Sequence, residues 1–390
     1  MDPRRNPYAP GAGTSPPELA GRDPILERAA IALDRIRAGL SARSLMLYGL
    51  RGVGKTVLLK AMRDQAEANG IAAVTVEAPE HRSLPALLAP ALRQAMLRLS
   101  KLEAVRTRAL GILAAFAKAL KLKYADVELN FDVAPILGIA DSGDLEHDLA
   151  ELLLEIGAVA KAAGTAFVLF IDELQYVPEA QLGALISAIH QTSQAQSPVA
   201  LIGAGFPQLL GLAGRAKSYS ERLFEFVEVD RLNVADASQA LVRPAEREFV
   251  RFDDDAVQEV LAQTGGYPYF LQEWGKHCWD VARESPISRE DARQATRRAI
   301  AELDASFFRV RFDRLTPQQK IYLRAMAELG PGPFRSGDVA NVLKRSVTTV
   351  APIRAALVAK GMAYSPAHGD VAFTVPLFDG FMRRSMSFPA

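Results

Sequence analysis

The stretch that most constrains this chain is Gly49-Leu-Arg-Gly-Val-Gly54-Lys55-Thr56. Before it stands Ser44-Leu-Met-Leu-Tyr48, a short apolar run that reads as a buried strand. After it comes Val57-Leu-Leu-Lys-Ala-Met62, the apolar start of a helix. The glycines let the backbone curl so that successive N–H groups converge on an anion at the positive end of the helix dipole. In that geometry Lys55 reaches the β- and γ-phosphates of a nucleoside triphosphate, and Thr56 is placed to ligate Mg²⁺. A glycine-rich turn alone would mean little. Strand, loop spacing and helix together imply a phosphate-binding loop formed by Gly49, Leu50, Arg51, Gly52, Val53, Gly54, Lys55, Thr56 and Val57.

A second element turns binding into chemistry. Phe167-Val-Leu-Phe-Ile171 is a continuous apolar run ending in Asp172-Glu173. Such a run suits a strand buried on both faces of a parallel sheet, with its final acids at the ligand-binding rim. Asp172 is the candidate to hold Mg²⁺, and Glu173 to polarise the water that attacks the γ-phosphate. An apolar run with two terminal acids is a weak signal alone. Downstream of a phosphate loop it predicts ATP hydrolysis.

Composition sets outer bounds. At 390 residues and 49% hydrophobic content the chain can bury more than one core. A net charge of +1 supplies no global field toward nucleic acid or membrane, so any such attraction must be local. Cys278 is the single cysteine and cannot form an internal disulfide, as expected in a reducing compartment. There is no stretch long enough to span a bilayer and no basic-then-apolar leader, so a cytoplasmic location with no membrane partner is the expectation. The five histidines include no pair at metal-ligand spacing, which argues against zinc. Trp274 and Trp279 read as core.

Along the chain, residues 1–20 are rich in Pro, Gly and Ala and predict a disordered tail. Strands alternating with helices from about 21 to 232 imply a parallel sheet covered on both faces. Within that region 101–142 breaks the rhythm and reads as an insertion. From 233 to 303 the pattern is helical, with Ser288-Arg-Glu-Asp291 as a capping box. A charged connection over 304–315 leads to a last unit over 316–390. There Thr316 caps a helix to about Leu329, Ser336–Leu343 and Thr348–Lys360 read as two more, and Ser365-Pro-Ala-His-Gly-Asp370 turns a hairpin. That order is the order of a winged helix.

Together these residues resemble the AAA+ ATPases, in particular the origin-recognition-like and STAND-related branch. Gly49–Thr56 is similar to the family's Walker A and Ile171-Asp172-Glu173 to its Walker B. Gly21-Arg22-Asp23 resembles the box near the adenine, and Gly265-Gly-Tyr-Pro268 the Gly-x-Pro element that begins a lid helix. The resemblance implies an α/β P-loop NTPase sheet with helices on both faces, a helical lid and a winged-helix domain. It further implies ATP and Mg²⁺ as ligands, with Arg22 and Pro268 near the nucleotide. Ser220-Glu-Arg222 looks like the segment that supplies an arginine finger, with Arg222 the candidate and Arg215 second; such a finger implies a homo-oligomer when ATP is bound. The chain departs from the family at Leu201-Ile-Gly-Ala-Gly205, where the sensor 1 strand carries no polar side chain. That departure, with no evident sensor 2 arginine, implies slow turnover.

Thr316–Ala390 holds nine Lys/Arg against four Asp/Glu. Lys344, Arg345, Thr348, Thr349, Arg354 and Lys360 are the candidates to meet duplex DNA, the helix residues in the groove and the first two on phosphate. The reading that follows is an ATP-dependent switch that places its winged helix on DNA. The alternative is a STAND-like signalling ATPase whose last domain docks a protein partner.

Overall fold

The computed structural model describes residues 1–11, 13–78, 83–99, 103–121, 123–124, 127–128 and 133–388. The chain divides into two compact units. The sheet unit comprises Arg22–Gly49 and Lys55–Val229; the helical unit comprises Met1–Gly21, Leu50–Gly54 and Asp230–Ala390.

In the sheet unit the elements run α1 (Asp23–Arg37), β1 (Ser44–Tyr48), α2 (Lys55–Ala68), β2 (Ala72–Glu77), α3 (Leu84–Leu99), α4 (Glu103–Ala119), β3 (Lys123–Tyr124), β4 (Val127–Glu128), α5 (Leu145–Ala162), β5 (Phe167–Asp172), α6 (Glu179–Gln194), β6 (Val199–Gly205), α7 (Gln208–Ala216), α8 (Ser220–Leu223) and β7 (Phe224–Glu228). The main sheet is five-stranded in the order β2-β5-β6-β1-β7, and every pairing is parallel. β5 and β6 are buried along their whole length, as continuous apolar runs inside a covered parallel sheet must be. Asp144 caps α5 by accepting from the His147 N–H.

The supposed insertion is partly core. On α4, Ile112, Leu113 and Phe116 are fully buried and join one apolar cluster with α3, α5 and the sheet. Of the expected strand at 127–133, Val127–Glu128 pairs antiparallel with Lys123–Tyr124, and 129–132 lie outside the described residues.

The helical unit runs α9 (Val234–Arg247), α10 (Asp254–Thr264), α11 (Pro268–Val281), α12 (Arg289–Ala305), α13 (Phe307–Asp313), α14 (Pro317–Leu329), β8 (Phe334–Arg335), α15 (Ser336–Val342), α16 (Val347–Ala359), β9 (Ala363–Tyr364), β10 (Asp370–Phe373) and α17 (Phe378–Ser385). The expected capping box of Ser288 with Asp291 forms, and Thr316, expected as a cap, does so in a second box with Gln319. Trp274 and Trp279 are buried. β8, between α14 and α15, joins β9 and β10, which follow α16, in a small antiparallel sheet of order β8-β10-β9.

Two expectations fail here for the same reason, a buried aromatic in a stretch of unpromising composition. The charged connection at 304–315 contains α13, whose Phe308 stands 5.7 Å from Phe378 and 5.4 Å from Phe381. It thereby joins α9–α12 and the last unit in one continuous core. The N-terminal segment is a strap rather than a disordered tail. Tyr8 is 4% exposed, its hydroxyl donates to the Leu241 carbonyl, and a Cβ on Gly275 would strike its ring at 2.5 Å. The Trp279 indole N–H donates to the Asp2 carbonyl at 2.8 Å, and Glu18 takes Arg243 and Arg247. Among the described residues no helix is long and apolar enough to cross a membrane.

Candidate nucleotide site

Strand order decides which side chains can meet. β6 lies between β1 and β5, so its carboxyl end stands between the start of the phosphate loop and the acids that end β5. The Gly49 N–H donates to the Gly205 carbonyl at 3.2 Å, which ties the two together. Lys55 opens α2 and is buried; its Nζ donates to the Gly49 carbonyl at 2.9 Å. The same ammonium lies 5.2 Å from the centroid of the Phe206 ring, whose face attracts a cation.

Thr56 Oγ1 donates to Asp172 Oδ2 at 2.5 Å, and Asp172 Oδ1 accepts from the Glu173 N–H at 2.8 Å. Asp172 is buried, and that burial raises its carboxyl above the ordinary aspartate value against the opposing pull of Thr56 and Lys55. A desolvated carboxylate beside a hydroxyl is an oxygen donor set that fits a divalent cation.

Glu173 follows at φ +57°, a left-handed conformation that strains a non-glycine residue by roughly 1–3 kcal/mol. Its carboxylate accepts from Gln175 Nε2, while Gln175 Oε1 accepts from the Phe206 N–H at 2.9 Å. Gln175 thus spans from the acidic end of β5 to the end of β6. A Cβ at Gly205 would come within 2.7 Å of Gln175 Oε1. The amide therefore lies where a side chain on that β6 residue would begin. Sequence reasoning found no polar group on β6 and missed the one supplied from another segment. The only available signal was a glutamine two residues beyond Glu173.

The helical unit holds the middle of the loop. The Arg51 N–H donates to the Thr374 carbonyl at 3.2 Å, and the Tyr269 N–H donates to the Gly52 carbonyl at 3.1 Å. Gly52, at φ +80°, could carry a Cβ only 3.1 Å from that of Tyr269. Val53 is fully buried. Pro268 is the first residue of α11, where its missing N–H is least costly. Before it, Gly266 accepts from the Leu232 N–H, and any Cβ there would sit 2.4 Å from the Leu232 carbonyl oxygen.

The remaining candidates are scattered. In the sheet unit Arg22 is buried at the start of α1, and Val57 follows Thr56 on α2. Arg222 is exposed on α8 and makes no ion pair among the described residues, whereas Arg215 pairs with Glu179 at 3.2 Å. In the last unit Lys344, Arg345, Thr348 and Thr349 are exposed around the start of α16. Arg354 and Lys360 do not present their charge with them. Arg354 bonds Ser365 Oγ and the Asp370 carbonyl, bracing the hairpin, and Lys360 donates to the Arg314 carbonyl and Gln319 Oε1.

Residues 18–202 match the family described as AAA ATPase domain. The chain carries an AAA ATPase domain and is an ATPase. Residues 305–382 match a domain of unknown function, DUF8462, a span that begins at the last residue of α12 and takes in α13. No curated protein matches the sequence. Among solved structures, the ATPase is similar to the Walker-type ATPase PABY2304 of Pyrococcus abyssi at 16% identity, over 94% of this chain and 96% of that one, with a TM-score of 0.60. It also aligns with the Aeropyrum pernix ORC1 protein in complex with DNA at 17% identity, over 98% and 96% of the two chains, with a TM-score of 0.49. At 16% identity the likeness to PABY2304 is one of fold.

Proposed function

We propose that this ATPase is a nucleotide-controlled switch whose C-terminal module, a winged helix by its order of elements, is positioned by the state of the phosphate loop and docks on duplex DNA. The observation that carries the reading is the pair of backbone bonds from the loop: Arg51 to Thr374 in the C-terminal module and Gly52 to Tyr269 on lid helix α11. A loop that closes around phosphates must rearrange its N–H groups, and these partners feel the change.

In this reading the loop amides from Gly49 to Thr56 and the Lys55 ammonium hold the phosphates. Thr56 and Asp172 would hold Mg²⁺, which when bound draws charge from the phosphate oxygens. Glu173 polarises water, and Gln175 holds its carboxylate. Arg222 serves a neighbouring copy in a nucleotide-dependent homo-oligomer.

The DNA contact reduces to the turn before α16. Of the positive charges in 316–390, Arg324, Arg335, Arg383 and Arg384 pair with carboxylates, Arg354 and Lys360 are held internally, and Lys320 lies over the Phe312 ring. Lys344 and Arg345 remain exposed beside Thr348 and Thr349. The same internal pairing favours a second reading, in which this surface docks a protein.

The test is titration onto fluorescent duplex DNA with non-hydrolysable ATP analogue or ADP at two salt concentrations. Binding should weaken with salt and differ between nucleotides. Replacing both Lys344 and Arg345 by Ala should reduce the log–log salt slope by about two. Absence of binding in both nucleotide states would discard the DNA reading in favour of protein docking.

A further inference from the structure

Glu273 and His277 lie one turn apart on α11, with Glu302 on α12; one donor atom from each falls within 4.8 Å of the others. Glu273 is 7% exposed and His277 6%, so both are more than nine-tenths buried. Yet among the described residues Glu273 Oε2 and His277 Nε2 have no hydrogen-bond partner. The other Glu273 oxygen accepts from the Tyr269 hydroxyl at 2.8 Å, which orients the carboxylate and leaves Oε2 as the open donor atom.

His277 Nε2 is 3.2 Å from Glu302 Oε2 but does not hydrogen-bond to it. That separation has another meaning. Two ligands around a tetrahedral ion, each about 2.0–2.1 Å from it, stand about 3.3 Å apart.

A contrasting cluster shows what satisfied groups look like. His147, Asp148 and Glu151 also lie close together. There, however, Asp148 accepts from Ser142 N, Ser142 Oγ and Gly143 N at 2.7–3.0 Å, and Glu151 accepts from Ala140 N at 2.5 Å. Those oxygens hold a loop.

We propose that Glu273, His277 and Glu302 form a site for a first-row divalent metal ion, zinc by its donor set, with water as the fourth ligand. Lys276, whose Nζ is 3.3 Å from Glu302 Oε2, sits at the half-exposed side, and its long stem lets the ammonium withdraw as the ion enters. Tyr269 links the site to the phosphate loop, through its hydroxyl to Glu273 and its N–H to Gly52. No pair of histidines signals such a site; its third ligand comes from the next helix.

The test titrates nucleotide-free, magnesium-free protein with Co²⁺, and with Zn²⁺ in competition with a chromophoric chelator. One equivalent per chain should bind, with the visible absorption of low-coordinate Co²⁺. His277→Gln and Glu302→Gln should each weaken binding by at least about tenfold, while Lys276→Ala keeps or improves it. Thr56→Ala should bind Zn²⁺ as wild type does, which separates this site from the phosphate-loop metal site. Circular dichroism and Tm verify each fold, and Glu302, on the exposed side, is the safer substitution if His277→Gln does not fold. Failure of the wild type to bind one equivalent, or undiminished binding by a folded His277→Gln or Glu302→Gln variant, overturns the proposal.

Discussion

Position 175 shows how one side chain can stand in for what a neighbouring strand lacks. β6 ends in Gly203-Ala204-Gly205, which offers no polar group, and the space above Gly205 is taken by the Gln175 amide. Its two ends do different things: Oε1 satisfies the Phe206 N–H, and Nε2 donates to the Glu173 carboxylate. Gln175→Glu keeps an acceptor for Phe206 but removes the donor to Glu173 and adds a like charge. If Gln175 positions the proposed base, kcat should fall roughly tenfold or more while the KM for ATP changes little. The scale follows because a hydrogen bond to a charged group contributes about 1.5–3 kcal/mol, and about 1.4 kcal/mol is tenfold in rate. Gln175→Ala should lower kcat similarly and also lower Tm, since it removes the side-chain acceptor that Gln175 offers the Phe206 N–H. Steady-state kinetics of both variants decide the matter; unchanged or faster turnover in a well-folded Gln175→Glu would dismiss the positioning role.

At the scale of elements, legibility follows how local the signal is. β5 was readable because a strand covered on both faces needs an unbroken apolar run, and Phe167–Ile171 is one. The helices of 233–303 were readable because caps are written within four residues, as at Ser288 with Asp291. The phosphate loop and the terminal acids were readable from spacing, although only the fold brings Thr56 to Asp172. What stayed hidden depends on distant partners. Asp304–Leu315 looks like a charged linker until Phe308 meets Phe378 and Phe381 from the far end of the chain, and the strap looks unstructured until Tyr8 finds the space above Gly275. Phe308 is 1% exposed, so Phe308→Ala should destabilise the protein by about 3–5 kcal/mol, the range for a buried aromatic truncated in a core. Because α13 joins α9–α12 and the last unit in one core, denaturant unfolding of this variant should lose both together. A wild-type midpoint, or loss of the C-terminal module alone, would show that α13 is only a tether.

For the whole molecule, the question is whether one copy completes the site of another. The two candidate fingers differ in what they already hold: Arg215 is paired with Glu179, while Arg222 is exposed on α8 without an ion pair among the described residues. Both are exposed, as an arginine that serves a neighbouring copy has to be, but Arg215 would first have to leave Glu179, so Arg222 is the better candidate for that use. A finger is worth about 10³–10⁵ in turnover, because it neutralises charge that spreads over the phosphoryl oxygens in the transition state. Arg222→Ala should therefore bind ATP normally yet lose its concentration-dependent activity. Lys55→Ala should lose nucleotide binding while keeping its Arg222. Mixing the two gives interfaces at which an intact phosphate loop faces an intact arginine, so activity should reappear although neither variant has it alone. Recovery in the mixture requires the residue to act across an interface, since no single chain in it has both parts. Without recovery, and with Arg222→Ala as active as wild type at concentrations where assembly is verified by light scattering, Arg222 would be an ordinary surface residue.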